Sequence, residues 1–303
     1  MIPVDQSGNA DSGMIISHLL SIPRKYIKNM NGLKNVLTIA GSDSIGGAGI
    51  QADIKTIFSL GLYAASVITA ITAQNTCGVR KIQAVDSDVL QAQIDAVLED
   101  IPVAAIKIGM FYTTENVLAI KHSLLKNHYR GPIVLDPVLV ATSGDSLAKD
   151  DFLITFCNEL IPLCHLLTPN LSEAEILCGR KITGLDDMLT GGEEIIRRYH
   201  CKNVLVKGGH AGGDHMTDLL VRADGTHQTF TATKINSVNT HGTGCTLSSA
   251  IASFLAMDLS MEESIAKAKV YVHQAIAAAK EYIIGQGHGS TNHFHNLQLK
   301  QPY

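Results

Sequence analysis

The chain contains no tryptophan, and its seven phenylalanines and eight tyrosines bring aromatics to only 5%. An interior built from it must be aliphatic and rich in alanine. Positive charge is not in excess either: 24 Lys and Arg stand against 28 Asp and Glu, a net of −4. A nearly neutral chain lacks the electrostatic footprint that binding a phosphate backbone requires, so nucleic acid is set aside as a partner. No stretch of about 18 apolar residues occurs, so no membrane-spanning helix is expected. CxxC pairs are missing, and Cys77, Cys157, Cys164, Cys178, Cys201 and Cys245 are scattered along the chain. They read as reduced thiols of a cytoplasmic protein, mostly buried as small hydrophobes, without structural zinc. Neither a GxGxxG dinucleotide fingerprint nor a GxxxxGK[ST] phosphate loop is present.

What the chain does have is 46% hydrophobic residues over a length of 303, with 17% charged. That supplies a large core and argues against disorder. Residues 1–32 read differently, as a poorly ordered extension. Their apolar part precedes the basic residues Arg24, Lys25 and Lys28, the reverse of a signal peptide. A basic amphipathic anchor and an upstream start before Met30 are the other readings of this segment.

From Val36 onward the pattern alternates. The β-rich run 36–40 enters a turn, Gly41-Ser42-Asp43-Ser44-Ile45-Gly46-Gly47-Ala48-Gly49, and then a helix over 50–60 that Gly61 closes. Strands follow over 66–71, 104–108, 132–135, 166–168 and 204–207, separated by helices over 86–100, 113–126, 151–161, from Ser172, and over 186–199. Residues 217–222 and 228–233 flank Ala223-Asp224-Gly225 as a hairpin. Two helices close the chain, one from the His241 turn to Met257 and one from Ser260 to about Ile284. The alternation predicts a single α/β domain over 33–303, with a mostly parallel sheet covered on both faces.

In an open α/β sheet, ligands gather at the carboxyl ends of strands. Here those ends carry Gly41-Ser42-Asp43, Gln74-Asn75, Lys107 to Gly109, Asp136, Asn170 and Lys207-Gly208-Gly209. The Gly46-Gly47-Ala48-Gly49 turn suits either close backbone approach to a ligand or simply a tight strand–helix connection. His241-Gly242-Thr243-Gly244-Cys245 points to an anion site, because a Gly-x-Gly turn leaves free N–H groups at a helix start and would favour a Cys245 thiolate there. An ordinary turn with a buried cysteine is the alternative. Asn170 and Glu173 offer oxygen ligands suited to Mg²⁺, against a capping arrangement of Ser172 and Glu175. Asp136 either helps hold the metal or forms an Asx-Pro turn. Lys207 either neutralises phosphate or lies on the surface. The terminal Gly287-His288-Gly289-Ser290-Thr291-Asn292-His293-Phe294-His295 is histidine-rich. With no cysteine near it, it reads as a closing surface segment rather than a zinc site.

Together, VLTIAGSDSIGGAGIQADIKT (36–56), VITAITAQNTCGV (67–79), KIGM (107–110), LDPV (135–138), TPNLSEAE (168–175), KGGH (207–210), NTHGTGCTLS (239–248) and GHGSTNHFH (287–295) resemble the hydroxymethylpyrimidine/phosphomethylpyrimidine kinases. These are thiamine-pathway members of the ribokinase-like superfamily, and the blocks run in family order over roughly residues 33–297.

The resemblance implies a ribokinase-like three-layer α/β/α sandwich, a homodimer, and use of ATP and Mg²⁺. The implied reactions are phosphorylation of 4-amino-5-hydroxymethyl-2-methylpyrimidine and then of its monophosphate to the diphosphate. Gln74 matches the residue that reads the pyrimidine, as an amide can, with both a donor and an acceptor. Gly41, Asp53, Ala48, Met110 and Val138 match the pocket lining. Asn170 and Glu173 match the N-x-x-E element for nucleotide phosphates and Mg²⁺, with Asp136 near the metal. Lys207 and Thr243 match the ATP-phosphate side. Gly242, Thr243 and Gly244 match the anion hole, and Cys245 the base.

One departure stands out: the family loop reads Asp-Pro-Ser-Gly-Gly, and here it is Asp43-Ser44-Ile45-Gly46-Gly47. A pyridoxal kinase is the other enzyme reading, and Gln74 argues against it. A non-catalytic binder of thiamine precursors is opposed by the retained Lys207, Glu173 and Cys245.

Overall fold

The structure, a computed structural model, describes residues 32–139, 150–208 and 214–297. The expectation for residues 1–32 falls, apart from Gly32, outside the described residues, as do those for Gly209 and His210. The chain divides into two units, 1–33 and 34–303, and every described strand and helix lies in the second.

Nine strands form one sheet among the described residues: β1 (Asn35–Asp43), β2 (Tyr63–Asn75), β3 (Gly78–Ala84), β4 (Val103–Ile108), β5 (Ile133–Leu135), β6 (Leu166–Leu167), β7 (Asn203–Lys207), β8 (His215–Arg222) and β9 (His227–Thr233). Their order is β3-β2-β1-β4-β5-β6-β7-β8-β9. The six from β2 to β7 pair in parallel, while β3 at one edge and the β8–β9 hairpin at the other are antiparallel.

Eight α-helices accompany the described strands: α1 (Gly49–Ser59), α2 (Ser87–Asp100), α3 (Thr114–Lys126), α4 (Asp150–Thr155), α5 (Leu171–Cys178), α6 (Leu185–Tyr199), α7 (Thr243–Ala256) and α8 (Met261–Ala279). Successive strand residues point to opposite faces, so each apolar run feeds two cores. Val36, Ala105, Val134, Leu166 and Leu205 pack with α1, α7 and α8. Leu37, Ile106, Leu135, Leu167 and Val206 pack with α2, α3, α5 and α6. This is the three-layer α/β/α sandwich, and it explains why the central strands read as continuous apolar runs.

Three elements differ from expectation. Strand β3 is not evident in the sequence, because Arg80, Lys81 and Gln83 interrupt its apolar pattern and an edge strand has one partner only. That partner extends β2 to Asn75. The helix expected over 151–161 breaks into α4, a π-turn (Phe156–Leu160) and a 3₁₀ turn around Pro162, whose ring removes a helical donor. Helix α8 stops at Ala279, where the Asn239 side-chain amide donates to the carbonyls of Ala279 (2.7 Å) and Tyr282 (2.8 Å). These bonds satisfy carbonyls that a longer helix would have to cover.

Candidate active site

The parallel strands deliver Asp43, Gln74, Lys107, Asp136, Asn170 and Lys207 to one edge of the sheet, where the start of α7 meets them. Asp43 organises the first turn. Its carboxylate accepts the N–H groups of Ile45 (3.0 Å), Gly47 (3.0 Å) and Ala48 (2.9 Å), and the Nε2–H of His241 (2.9 Å). Burial alone would raise its pKa, but the His241 hydrogen bond, the Ala48 N–H and the Ile45 N–H hold it below the usual carboxylate range.

A cavity of about 100 Å³ opens beside this turn. Gly41, Ala48, Gln74, Met110 and Val138 line it, together with Asp43, Thr72, His241 and Cys245. Because the His241 Nε2 proton is committed to Asp43, the ring cannot accept from the Gln74 amide nitrogen 3.3 Å away. That amide N–H therefore remains for a ligand.

Asp53 corrects the expectation that it lines the pocket. It lies wholly buried in the core, and its carboxylate takes Lys107 Nζ (2.7 Å), Thr38 Oγ1 (2.6 Å) and Ser249 Oγ (2.6 Å). Ile45 is not part of the cavity wall, whereas Ser44 ties the turn to β2: its hydroxyl donates to the Gln74 carbonyl (2.7 Å) and accepts the Gln74 N–H (2.8 Å).

The His241–Cys245 turn forms the opposite wall. Gly242 has φ +79°, and a Cβ there would overlap the Gly47 carbonyl oxygen, so only glycine lets the two turns meet. Thr243 caps nothing by side chain but begins α7, with Gly244 and Cys245 in its first turn. The expected Cys245 thiolate needs correction. Burial pushes the thiol up to about 11, with Asp53 and Asp136 adding to it, and this outweighs the Lys107 ammonium and the Gly49 N–H that favour the anion.

Beyond the turn lies a second cavity of about 460 Å³, within the range of nucleotide-sized ligand sites. Asn170, Lys207, Thr243 and Gly244 line it at the turn, and Leu247, Val272 and Ile276 give it an apolar wall. Lys207 Nζ donates to Asp136 Oδ1 at 2.9 Å, and Thr168 and Ser248 hydroxyls also donate to this carboxylate. Burial raises Asp136, yet Lys207 and Lys107 hold it below the usual range.

The capping arrangement at α5 is formed by Asn170 and Glu173, not by Ser172 and Glu175. Asn170 Oδ1 accepts the Glu173 N–H and Glu173 Oε2 accepts the Asn170 N–H, both at 2.9 Å. Glu175 instead takes Lys181 and the Ile182 N–H. Burial, with the anionic Asp136 nearby, pushes Glu173 up to about 7. Two neighbouring buried carboxylates fit a hydrated Mg²⁺, which keeps several waters and takes one or two protein oxygens alongside phosphate.

The tail is a surface segment only in part: His288 and Phe294 are exposed, whereas Thr291 and His293 are buried. Among the described residues no group of three or more His, Cys, Asp or Glu is placed to hold a metal. Likewise, no described helix is long and apolar enough to cross a membrane.

The sequence does not reveal His241 and Asp43 as partners across the pocket. Both stand inside quoted motifs, but 198 positions separate them, and no local spacing reports that pairing.

Two cavities that meet at one glycine-rich helix start, on an α/β/α sandwich, match the architecture of the ribokinase-like kinases. Comparison with known proteins agrees. The profile described as phosphomethylpyrimidine kinase matches residues 43–292. The hydroxymethylpyrimidine/phosphomethylpyrimidine kinase of Rhizobium meliloti (strain 1021) is 49% identical over 259 residues, covering 86% of this chain and 96% of that one. The crystal structure of phosphomethylpyrimidine kinase from Clostridium difficile 630 superposes with a TM-score of 0.71 at 44% identity, over 80% of this chain and 99% of that one. Pyridoxal kinase from Staphylococcus aureus, in complex with AMP-PCP and pyridoxal, gives 0.78 at 30% identity, over 88% and 96%. The chain belongs to the phosphomethylpyrimidine kinase family.

Proposed function

We propose that this protein transfers the γ-phosphoryl group of ATP to 4-amino-5-hydroxymethyl-2-methylpyrimidine and then to the resulting monophosphate, giving the diphosphate used in thiamine biosynthesis. The observation that carries this reading is the Gly242-Thr243-Gly244-Cys245 turn, which walls the Gln74 cavity on one side and the Lys207 cavity on the other.

In the first transfer the hydroxymethyl oxygen bonds to the γ-phosphorus, its proton passes to Cys245 in the minor fraction of the protein where that residue is a thiolate, and the bond to the β–γ bridging oxygen breaks as ADP leaves. The Gly244 and Cys245 N–H groups and the positive end of α7 face the charge that develops on the transferring group. Lys207 neutralises donor phosphates from the other side, with Asn170 and Thr243 completing that end of the nucleotide site. Asp136 and Glu173 would hold Mg²⁺, which when bound screens the phosphate charge. The second transfer attacks with a phosphate oxygen already ionised near neutral pH, so it needs no base. Gln74 offers its amide to the aminopyrimidine edge, with Gly41, Ala48, Met110 and Val138 closing around the ring.

A pyridoxal kinase is the second reading, favoured by the likeness to the Staphylococcus aureus enzyme. The resemblance that supports the pyrimidine reading also carries a single domain over 33–303, a cytoplasmic location and a homodimer, the last checked by light scattering. The deciding assay offers the pyrimidine, its monophosphate and pyridoxal side by side with ATP and Mg²⁺. Diphosphate formation with weak pyridoxal turnover is expected; preferred turnover of pyridoxal overturns the reading.

A further inference from the structure

The histidine-rich tail is bound to both walls of the acceptor cavity. On the β2–β3 side, Thr76 Oγ1 accepts the N–H groups of Gln286 (3.2 Å) and Gly287 (3.1 Å), and the Thr76 carbonyl accepts that of His288 (3.0 Å). Thr76 stands two residues after Gln74. The fit is tight: a Cβ on Gly287 would overlap the Thr76 carbonyl. On the α7 side, the Gly289 carbonyl accepts the His241 N–H (3.0 Å), His241 and Ser290 form a β-bridge, and a Cβ on Gly289 would overlap the Asn239 side-chain oxygen. Further on, His293 is buried against Thr246 of α7 at 3.1 Å.

A single short run of chain thus bridges two elements that are far apart in sequence and face each other across the cavity. The β2–β3 hairpin lies at an edge of the sheet: β1 pairs with β2 as far as Thr72, and Ser44 holds the Gln74 backbone just beyond. Beyond Gln74 the tip has, among the described residues, no sheet partner outside its own two strands, so without the tail it would be held from the β1 side through the Ser44 bonds alone.

We infer that Thr76 is a positioning residue for the acceptor site: through it the segment Gly285–His293 fixes the distance between the Gln74 wall and the His241–Cys245 wall. The chemistry explains the residue types. A threonine hydroxyl can accept two N–H groups at once while its methyl packs, and glycines at 287 and 289 let the segment lie flat against Thr76 and Asn239. The consequence is selectivity, since a small error in placing the acceptor is costly for the transfer. The inference rests on the Gln74 cavity being the acceptor site, but its structural half can be tested without any substrate.

The test compares Thr76→Val, which keeps shape and loses the acceptor, with Thr76→Ser, which keeps the acceptor. Hydrogen exchange by mass spectrometry, on the whole protein without substrate, is expected to quicken in Thr76→Val over both 72–79 and 239–245, and to stay parental in Thr76→Ser. Faster exchange confined to 285–289 overturns the bridge. In kinetics, Thr76→Val should raise the acceptor KM about tenfold while the ATP KM stays within about twofold, with Thr76→Ser restoring the parental value. Equal rises in both KM values would mean general loosening and would also overturn the inference. Should Thr76→Val fold poorly, Gly289→Ala breaks the other anchor and must give the same two-wall exchange pattern.

Discussion

Lys107 Nζ stands 2.7 Å from Asp53 Oδ2, and both side chains are wholly buried. Asp53 also accepts from Ser249, one helical turn after Cys245, so the pair is tied to the helix that the His241–Cys245 turn begins. A buried pair contributes little net stability, but removing one partner leaves an uncompensated charge in the core. Asp53→Asn should therefore destabilise the protein by about 3–5 kcal/mol. Adding Lys107→Met removes the orphaned ammonium, while the asparagine's amide oxygen accepts from one of the Thr38 and Ser249 hydroxyls and its NH2 donates to the other, and should recover about half of that loss or more. Urea unfolding of parent, single and double variants measures this; a double variant no more stable than the single would show that the ion pair is not what Asp53 is there for.

The second prediction concerns Cys245. With the thiol pushed up to about 11 by burial, the thiolate is a minor species at neutral pH. In a Cys77→Ser background, which removes the exposed cysteine, alkylation of Cys245 by iodoacetamide should rise about tenfold per pH unit from 7 to 10 without a plateau. The first phosphoryl transfer should rise with pH in the same way, and the second should not. A plateau in alkylation near pH 7 would mean that Lys107 and the helix start prevail over burial.

How far the sequence carries these conclusions depends on the range of the interactions. Strand–helix alternation, the Ser260 cap and the glycine turns are local, and each is visible within about a dozen residues. The cavity lining at Gly41, Gln74, Met110 and Val138 is reached through resemblance. Asp53 is misplaced by that route because nothing local reveals that an aspartate one turn into a helix faces a lysine 54 residues away. Cys245 is misjudged for a similar reason: its position at a helix start is local, but its burial between Asp53 and Asp136 is not. The tail reads as a surface segment because its polar composition conceals partners at Thr76 and Asn239.

Ser44 departs from the family loop, and its hydroxyl holds both backbone groups of Gln74. A proline at this position could make neither bond. Ser44→Ala should lower kcat/KM for the pyrimidine by about tenfold, the worth of one to two net hydrogen bonds, and leave pyridoxal turnover nearly unchanged. Gln74→Met should abolish most of the remaining preference. Steady-state kinetics with both acceptors decides this. An unchanged ratio in Gln74→Met would remove Gln74 as the reader, and equal losses for both acceptors in Ser44→Ala would make Ser44 a general loop anchor.

The final prediction follows from His293, which is 2% exposed and has its pKa lowered to about 4, first by burial and then by the nearby Lys55, His241 and His295. The Thr246 hydroxyl donates to the Gly242 carbonyl at 2.8 Å, so it accepts from His293 Nε2–H at 3.1 Å, and the ring is neutral. In the unfolded chain the same histidine titrates near its ordinary 6.5. Between those two values the unfolded state binds more protons than the folded one, so stability falls as pH drops from 6.5 toward 4. The loss should reach about 2 kcal/mol by pH 5. His293→Gln keeps a donor for Thr246 and cannot titrate. Its stability at pH 7 should be slightly below that of the parent, and the difference should shrink or reverse by pH 5. Urea midpoints at the two pH values test it: parallel acid losses in parent and variant would assign the pH dependence to other groups.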